Sequence, residues 1–214
     1  MVARVFAFAG SPVSVRGDLR DAYVGLWSHL GGPGPTLTGT QRVDLAEYVR
    51  AVRNRGTPVR VELPASVPYL AAKLFGDPGL VDRSMVREAA DEVGDPMVVE
   101  VISIVSMLSA IDGAHRALGA DLEPLPEPLE GPPTNEIAEG LQQRRTHVPM
   151  PAGAIPVALD LLPRVGQVFR NSFGPQYMTE PEMVFDDFER NPGLNRAQIE
   201  IVSSRTSLLN RCFY

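Results

Sequence analysis

The sequence predicts an all-α fold. Three observations carry that expectation: apolar residues recur at helical spacing in segment after segment, several segments open on paired capping residues, and alternating β-branched runs are scarce. The chain has 214 residues and is 44% hydrophobic, enough to bury a core in one large domain or two small ones.

In chain order, Asp18 is placed to cap a first helix, with Leu19, Ala22, Tyr23, Leu26, Trp27 and Leu30 along one face and Gly31-Gly32-Pro33 as its stop. Thr38 and Gln41 form a capping box for a second helix, with Leu45, Tyr48, Val49 and Val52 inward and Arg50, Arg53 and Arg55 at its basic end, which suits a helix C-terminus without any ligand. The Val-Arg-Val alternation between Gly56 and Leu63 is too short to support a sheet. Ser66 and Asp77, each followed within two residues by proline, read as N-caps of helices over Tyr69–Phe75 and Leu80–Val93. Asp95-Pro96 then opens the most hydrophobic segment, Met97–Leu118, closed by Gly119. Apolar almost all round, it is the expected centre of the fold, a buried helix and not a membrane span.

Between Pro124 and Pro151 lie seven prolines and no apolar period, which predicts an extended crossing. The expected organisation is a helical module over residues 1–123, the crossing over 124–151, and a second helical module over 152–214. That second module is expected to hold helices over Ile155–Leu162, Arg164–Phe173 and, after a Thr179/Glu182 capping box, Met183–Arg190. Its last helix starts at an Asn195/Gln198 capping box and places Ile199, Val202, Thr206 and Leu209 on one stripe with Glu200 beside it. Asn210 either ends that helix or caps a new one, whose first turn would hold Cys212 where the dipole favours a thiolate.

A formal charge of −6 argues against nucleic acid or an acidic membrane as a partner. One cysteine excludes an internal disulfide framework, no Cys/His cluster suggests a metal, and no cofactor is expected. Met1–Gly10 is too short an apolar run for a signal peptide, and the reducing cytoplasm is the simplest compartment. Asp112 and His115, three apart on the apolar helix, are able to face each other as a carboxylate orients an imidazole, although no nucleophile is adjacent and a satisfied polar helix end is the plainer reading. His29 and His147 read as structural. Leu37–Ala46 and Leu194–Val202 also share a pattern, a capped start and then an acidic residue; twelve positions after Asp44 stands Gly56, and twelve after Glu200 stands Cys212. Either a duplicated helical module or two unrelated amphipathic helices accounts for this.

Glu200, eleven residues and then Cys212 resembles the alkylhydroperoxidase (AhpD-like)/carboxymuconolactone decarboxylase-like family, whose motif reads Glu-x11-Cys-x2-Cys-x3-His. Further stretches resemble longer members: Leu30-Gly-Gly-Pro-Gly with Leu37-Thr-Gly and Arg42, Val99-Glu-Val-Ile with Ala110-Ile-Asp and Arg116-Ala-Leu-Gly119, and Leu125-Pro-Glu-Pro-Leu-Glu-Gly131-Pro-Pro. The resemblance implies an AhpD-like helical bundle, homo-oligomers, and reduction of a hydroperoxide at the expense of a thiol reductant. It makes Glu200 the relay carboxylate and Cys212 the resolving cysteine; the attacking residue would fall at position 215 and a relay histidine at 219, both past the last residue, and Tyr214 stands where some members carry histidine. The expectation is a selenocysteine at position 215, its codon read as termination, with a nonsense mutation or a shortened chain as the alternatives. A 214-residue product lacking that residue is expected to be inactive as a peroxidase. The other readings are a non-catalytic helical interaction protein and a decarboxylase-like lyase.

Overall fold

The computed structural model describes residues 6–153, 157–179, 181–190 and 193–212. Seven α-helices account for its regular structure, and among these residues there is no β-strand, only one isolated antiparallel bridge between Glu189 and Asn195. They are α1 (Gly17–Gly31), α2 (Gly39–Arg53), α3 (Ser66–Gly76), α4 (Arg83–Val93), α5 (Asp95–Ala117), α6 (Pro163–Gln176) and α7 (Arg196–Leu209). The chain is all-α.

Helix α5 is the axis. It is long and apolar enough, by length and composition, to cross a membrane, yet most of its apolar side chains are covered by neighbouring helices. Helices α1, α2, α3 and α4 pack against it. One core cluster joins Leu26, Trp27 and Leu30 of α1 to Leu45 and Val49 of α2, Phe75 of α3, and Ile104, Leu108 and Ile111 of α5. A second joins Leu70, Val86, Ala90 and Val98 to Leu162 and Val165, and α6 also lies along α1. The helix that follows the Pro-rich crossing thus returns to the core built by the first half of the chain. Phe6 and Phe8 plug the end of that core, packed against Tyr23, Trp27 and His115.

The helix starts follow local chemistry. Both halves of the capping box are made at Thr38/Gln41 and at Asn195/Gln198. Asp18 is not the N-cap of α1: the helix begins one residue earlier, and Asp18 sits in its first turn bound by Arg16. Likewise Ser66 is the first residue of α3 and not its cap. Asp77 precedes only a 3-10 turn, Pro78–Leu80, and the helix expected from Leu80 starts at Arg83, where the Asp82 carboxylate accepts from the Met85 amide. Extended backbone at Val81 is what separates the two.

Two expected helices do not form. Residues 155 and 156 of the segment 155–162 lie outside the described residues; Val157 is in a 3-10 turn and 158–162 are turn and bend, with no α-helix among them. The Thr179/Glu182 box is made, but only a 3-10 turn, Glu182–Val184, follows it. Bonds from beyond the segment take that backbone instead: the Arg196 guanidinium donates to the Met183 carbonyl and the Arg196 amide to that of Phe188, while the Arg190 amide donates to Leu194.

The Pro-rich crossing has no helix of its own and is held by backbone contacts. Leu129 donates to the Gly31 carbonyl, Thr134 to Gly34 and Asn135 to Pro35, while the Trp27 indole donates to Pro124 at 2.7 Å. Gly31 and Gly39 permit this approach, since a Cβ on Gly31 would lie 2.9 Å from the Glu127 carbonyl and one on Gly39 2.5 Å from that of Leu129.

Candidate functional site around helix α7 and the buried pair beneath it

Glu200 lies one turn into α7. Its carboxylate accepts from the Arg196 Nε at 2.8 Å and from the Tyr177 hydroxyl, which is 3.0 Å from each oxygen. Burial first, and then the neighbouring Glu200 carboxylate, push the Tyr177 phenol above its ordinary value. Beside this cluster a hollow of about 440 Å³ opens between the end of α6 and α7, with Arg16, Arg190, Ile199 and Ser203 among its walls. The arrangement fixes a partly exposed carboxylate against a phenol that holds its proton, and that suits a proton relay between the two oxygens.

Cys212 is exposed and lies beyond the other end of α7. It does not open a new helix: its amide donates to Ser207 and that of Arg211 to Leu208, with Arg211 at φ +52°. These are the bonds of a Schellman motif, so the thiol sits at the carbonyl end of a helix and the expected positive dipole end is not beside it. Nor does the eleven-residue spacer bring Glu200 and Cys212 together. Because residues 200–209 are continuous helix, about 14 Å separates Glu200 from Leu209 at the α-helical rise. On the expected inward stripe only Ile199 is buried; Val202 and Leu209 are exposed, and so are Ile201 and Leu208 on neighbouring faces. Tyr214 lies outside the described residues.

The likeness between α2 and α7 extends to their far ends. Each carries an asparagine C-cap ten positions after its acidic residue, Asn54 and Asn210, then an arginine at positive φ, Arg55 and Arg211. In each the next amide, Gly56 or Cys212, reaches back five residues to a helix carbonyl. Their surroundings differ: α2 is packed on α1, α3 and α5, whereas α7 shows an exposed apolar row.

A second polar cluster lies in the core. Arg42 and Glu100 are completely buried and joined at 2.6 Å from Nη1 to Oε1. Arg42 also donates to the carbonyls of His29 and Leu30, and the other Glu100 oxygen accepts from the Thr36 amide and hydroxyl, each at 2.6 Å. Of the stretches quoted above for the family resemblance, Leu30–Gly34, Leu37–Arg42 and the start of α5 meet at this pair, Leu125–Pro133 lies against Gly31, Pro33 and Gly39, and Ala110–Asp112 and Arg116–Gly119 lie at the other end of α5. The pairing itself was not read from the sequence. Its signal was present in Glu100, a lone carboxylate near the start of a helix that is apolar almost all round and therefore in need of a buried cation.

Asp112 and His115 do not face each other. Asp112 takes a two-pronged bond from Arg50, at 2.5 and 3.0 Å, while His115 Nδ1 meets the Ile111 carbonyl at 2.8 Å and its ring stacks on Phe8 at 4.2 Å. His29 is held near a pKa of about 3, by burial first and then by the charges of Arg42 and Arg164, which keeps it neutral. Among the described residues no group of three or more His, Cys, Asp or Glu side chains is placed to hold a metal.

No family model, curated protein or solved structure matches this chain.

Proposed function

We propose that the chain is a thiol-dependent peroxidase subunit of the alkylhydroperoxidase-like type, acting on hydroperoxides with a thiol reductant in the cytoplasm, with Cys212 as resolving thiol and Glu200 as a proton-relay carboxylate. The observation that carries the reading is the Glu200–x11–Cys212 spacing in the sequence, with the thiol exposed just past the end of α7 and the carboxylate on that helix already hydrogen-bonded to a phenol.

In this chemistry a peroxide-attacking thiol or selenol, partnered with Cys212, takes the terminal oxygen of the hydroperoxide. The O–O bond breaks, an alcohol leaves with a relayed proton, and the attacking atom becomes a sulfenic or selenenic acid. The Cys212 thiolate then attacks that atom, water departs, and the resulting disulfide or selenosulfide is reduced by an external dithiol. In this reading Glu200, far from Cys212 along α7 and bonded to Tyr177, supplies protons through that phenol and does not deprotonate this thiol directly. The same reading includes a homo-oligomer, supported by the exposed Ile201, Val202, Leu208 and Leu209.

Peroxide consumption in the presence of dithiothreitol tests the reading, on the 214-residue chain and on a chain extended past Tyr214 by cysteine and a following helix. Turnover is expected only in the extended chain and is lost there in Cys212→Ser. Equal rates in both chains refute the role given to Cys212. The second reading, a non-catalytic helical interaction protein, is favoured by that same exposed apolar row and is supported if neither chain consumes peroxide.

A further inference from the structure

The surface of α5 that faces away from the Arg42–Glu100 pair carries a second feature, independent of the thiol. Helices α3 and α5 and the turn before α4 border a cleft of about 690 Å³. Its apolar wall is Leu74 and Phe75 of α3 with Ile102 and Val105 of α5, while Ser106, Ser109 and Gly113 keep the α5 surface low. Asn210, at the end of α7, closes one side; a Cβ on Gly79 of the facing turn would lie 3.1 Å from its carbonyl.

A smaller hollow of about 250 Å³ continues from Ile102 and Ser106, which line both, to Phe169 and Phe173 of α6. From Arg116 to Ile102 the helix rises about 21 Å, so the two hollows form one long groove, with Arg53 and Arg116 at one end and Phe169, Phe173 and the Asp160-paired Arg170 at the other.

The charge of the groove runs against that of the protein. The chain has a formal charge of −6, yet no Asp or Glu lines either hollow. Arg53 and Arg116 stand together at the wide end. Arg53 is braced by the Phe75 carbonyl at 2.9 Å and lies over the Phe75 ring, and among the described residues it has no carboxylate within ion-pair distance. Arg116 meets the Asn54 amide oxygen at 3.5 Å and, among the described residues, its carboxylate neighbour is Asp112 at 3.9 Å, which is already committed to Arg50. The arginine that suits a helix end without any ligand in sequence terms thus faces an open, acid-free cleft.

We propose that this groove binds a single-chain amphiphile with a carboxylate head, a long-chain fatty carboxylate, with its head between Arg53 and Arg116 and its tail along Val105 and Ile102 toward Phe169 and Phe173. Two guanidiniums suit a planar carboxylate, and a groove running about 20 Å along α5, with an apolar wall of Leu74, Phe75, Ile102, Val105, Phe169 and Phe173, suits an extended hydrocarbon chain and no compact solute.

Displacement of 1-anilinonaphthalene-8-sulfonate from the full chain by hexadecanoate, below its micellar range, is the test, with light scattering run in parallel. Saturable one-site displacement is expected, at least tenfold weaker for octanoate and for hexadecyltrimethylammonium. Arg53→Ala with Arg116→Ala is expected to weaken it about tenfold, and Ser106→Trp to abolish it. Ser109→Glu, at an exposed position that folding tolerates, places a repelling charge beside the head and is expected to weaken binding about tenfold even if the arginine pair proves necessary for folding. Absence of saturable displacement, equal affinity for the cationic amphiphile, or an unchanged affinity in folded Ser109→Glu overturns the proposal. A wild-type oligomer that excludes hexadecanoate and that Ser109→Glu converts to monomer would assign the groove to a second copy and overturn it as well.

Discussion

Breaking the Arg42–Glu100 pair one partner at a time measures what holds α2, α5 and the turn between α1 and α2 together. With Nη1 and Oε1 at 2.6 Å, an effective dielectric constant of about 20 gives an attraction of roughly 6 kcal/mol. Desolvation costs several kcal/mol for each ion, so the intact pair is close to neutral while either ion left alone is not. Arg42→Met and Glu100→Gln are each expected to lower the unfolding free energy by about 3–5 kcal/mol, a large share of the 5–15 kcal/mol typical of a domain. The double variant removes both charges and keeps the Thr36 bonds to the Gln side chain, so its loss should fall at least about 2 kcal/mol short of the summed single losses. Urea unfolding followed by far-UV circular dichroism provides all three values. Losses that add to within about 0.5 kcal/mol would show that the two side chains act independently and would refute the reasoning.

Two more predictions concern the same region. Gly34→Ala drives a Cβ into the Glu100 carboxylate and the Arg42 guanidinium, both fixed and fully buried, and is expected to cost about 3 kcal/mol in the same unfolding assay; a loss under about 1 kcal/mol would mean that the turn yields freely. His29 has a folded-state pKa of about 3 against an ordinary 6.5, so the unfolded chain binds more protons between those values. Stability present at neutral pH is therefore lost as the pH falls, by about 2 kcal/mol between pH 7.5 and 5 for this group. His29→Leu should lose less stability than wild type over that interval, and parallel pH dependences in the two proteins would count against a buried neutral imidazole.

Much of the fold was legible because helix signals are local. The Thr38/Gln41 and Asn195/Gln198 boxes, the Gly119 stop and the apolar period of α5 each depend on a few neighbouring residues, and each appears where it was expected. The failures share a cause. Thr179/Glu182 makes the same local box, but Arg196 claims the backbone beyond it, its guanidinium bonding the Met183 carbonyl and its amide that of Phe188. Cys212 fails likewise, since Asn210 suits either a helix end or a helix start and only the bond from Cys212 back to Ser207 decides.

The sequence by itself determined that this chain is helical, that α5 is its centre, that residues 124–151 cross without a helix, and that Glu200 lies on a helix capped by Asn195. Those are matters of period, caps and proline content, which operate within a turn or two of chain. Tertiary structure alone decided which charges meet: Arg42 with Glu100, fifty-eight residues apart, and Arg50 with Asp112, sixty-two apart. It also decided that Arg53 is left facing an acid-free groove. Pairing over such separations depends on how helices stack, and a carboxylate or guanidinium carries no local mark of the partner that burial will require it to find.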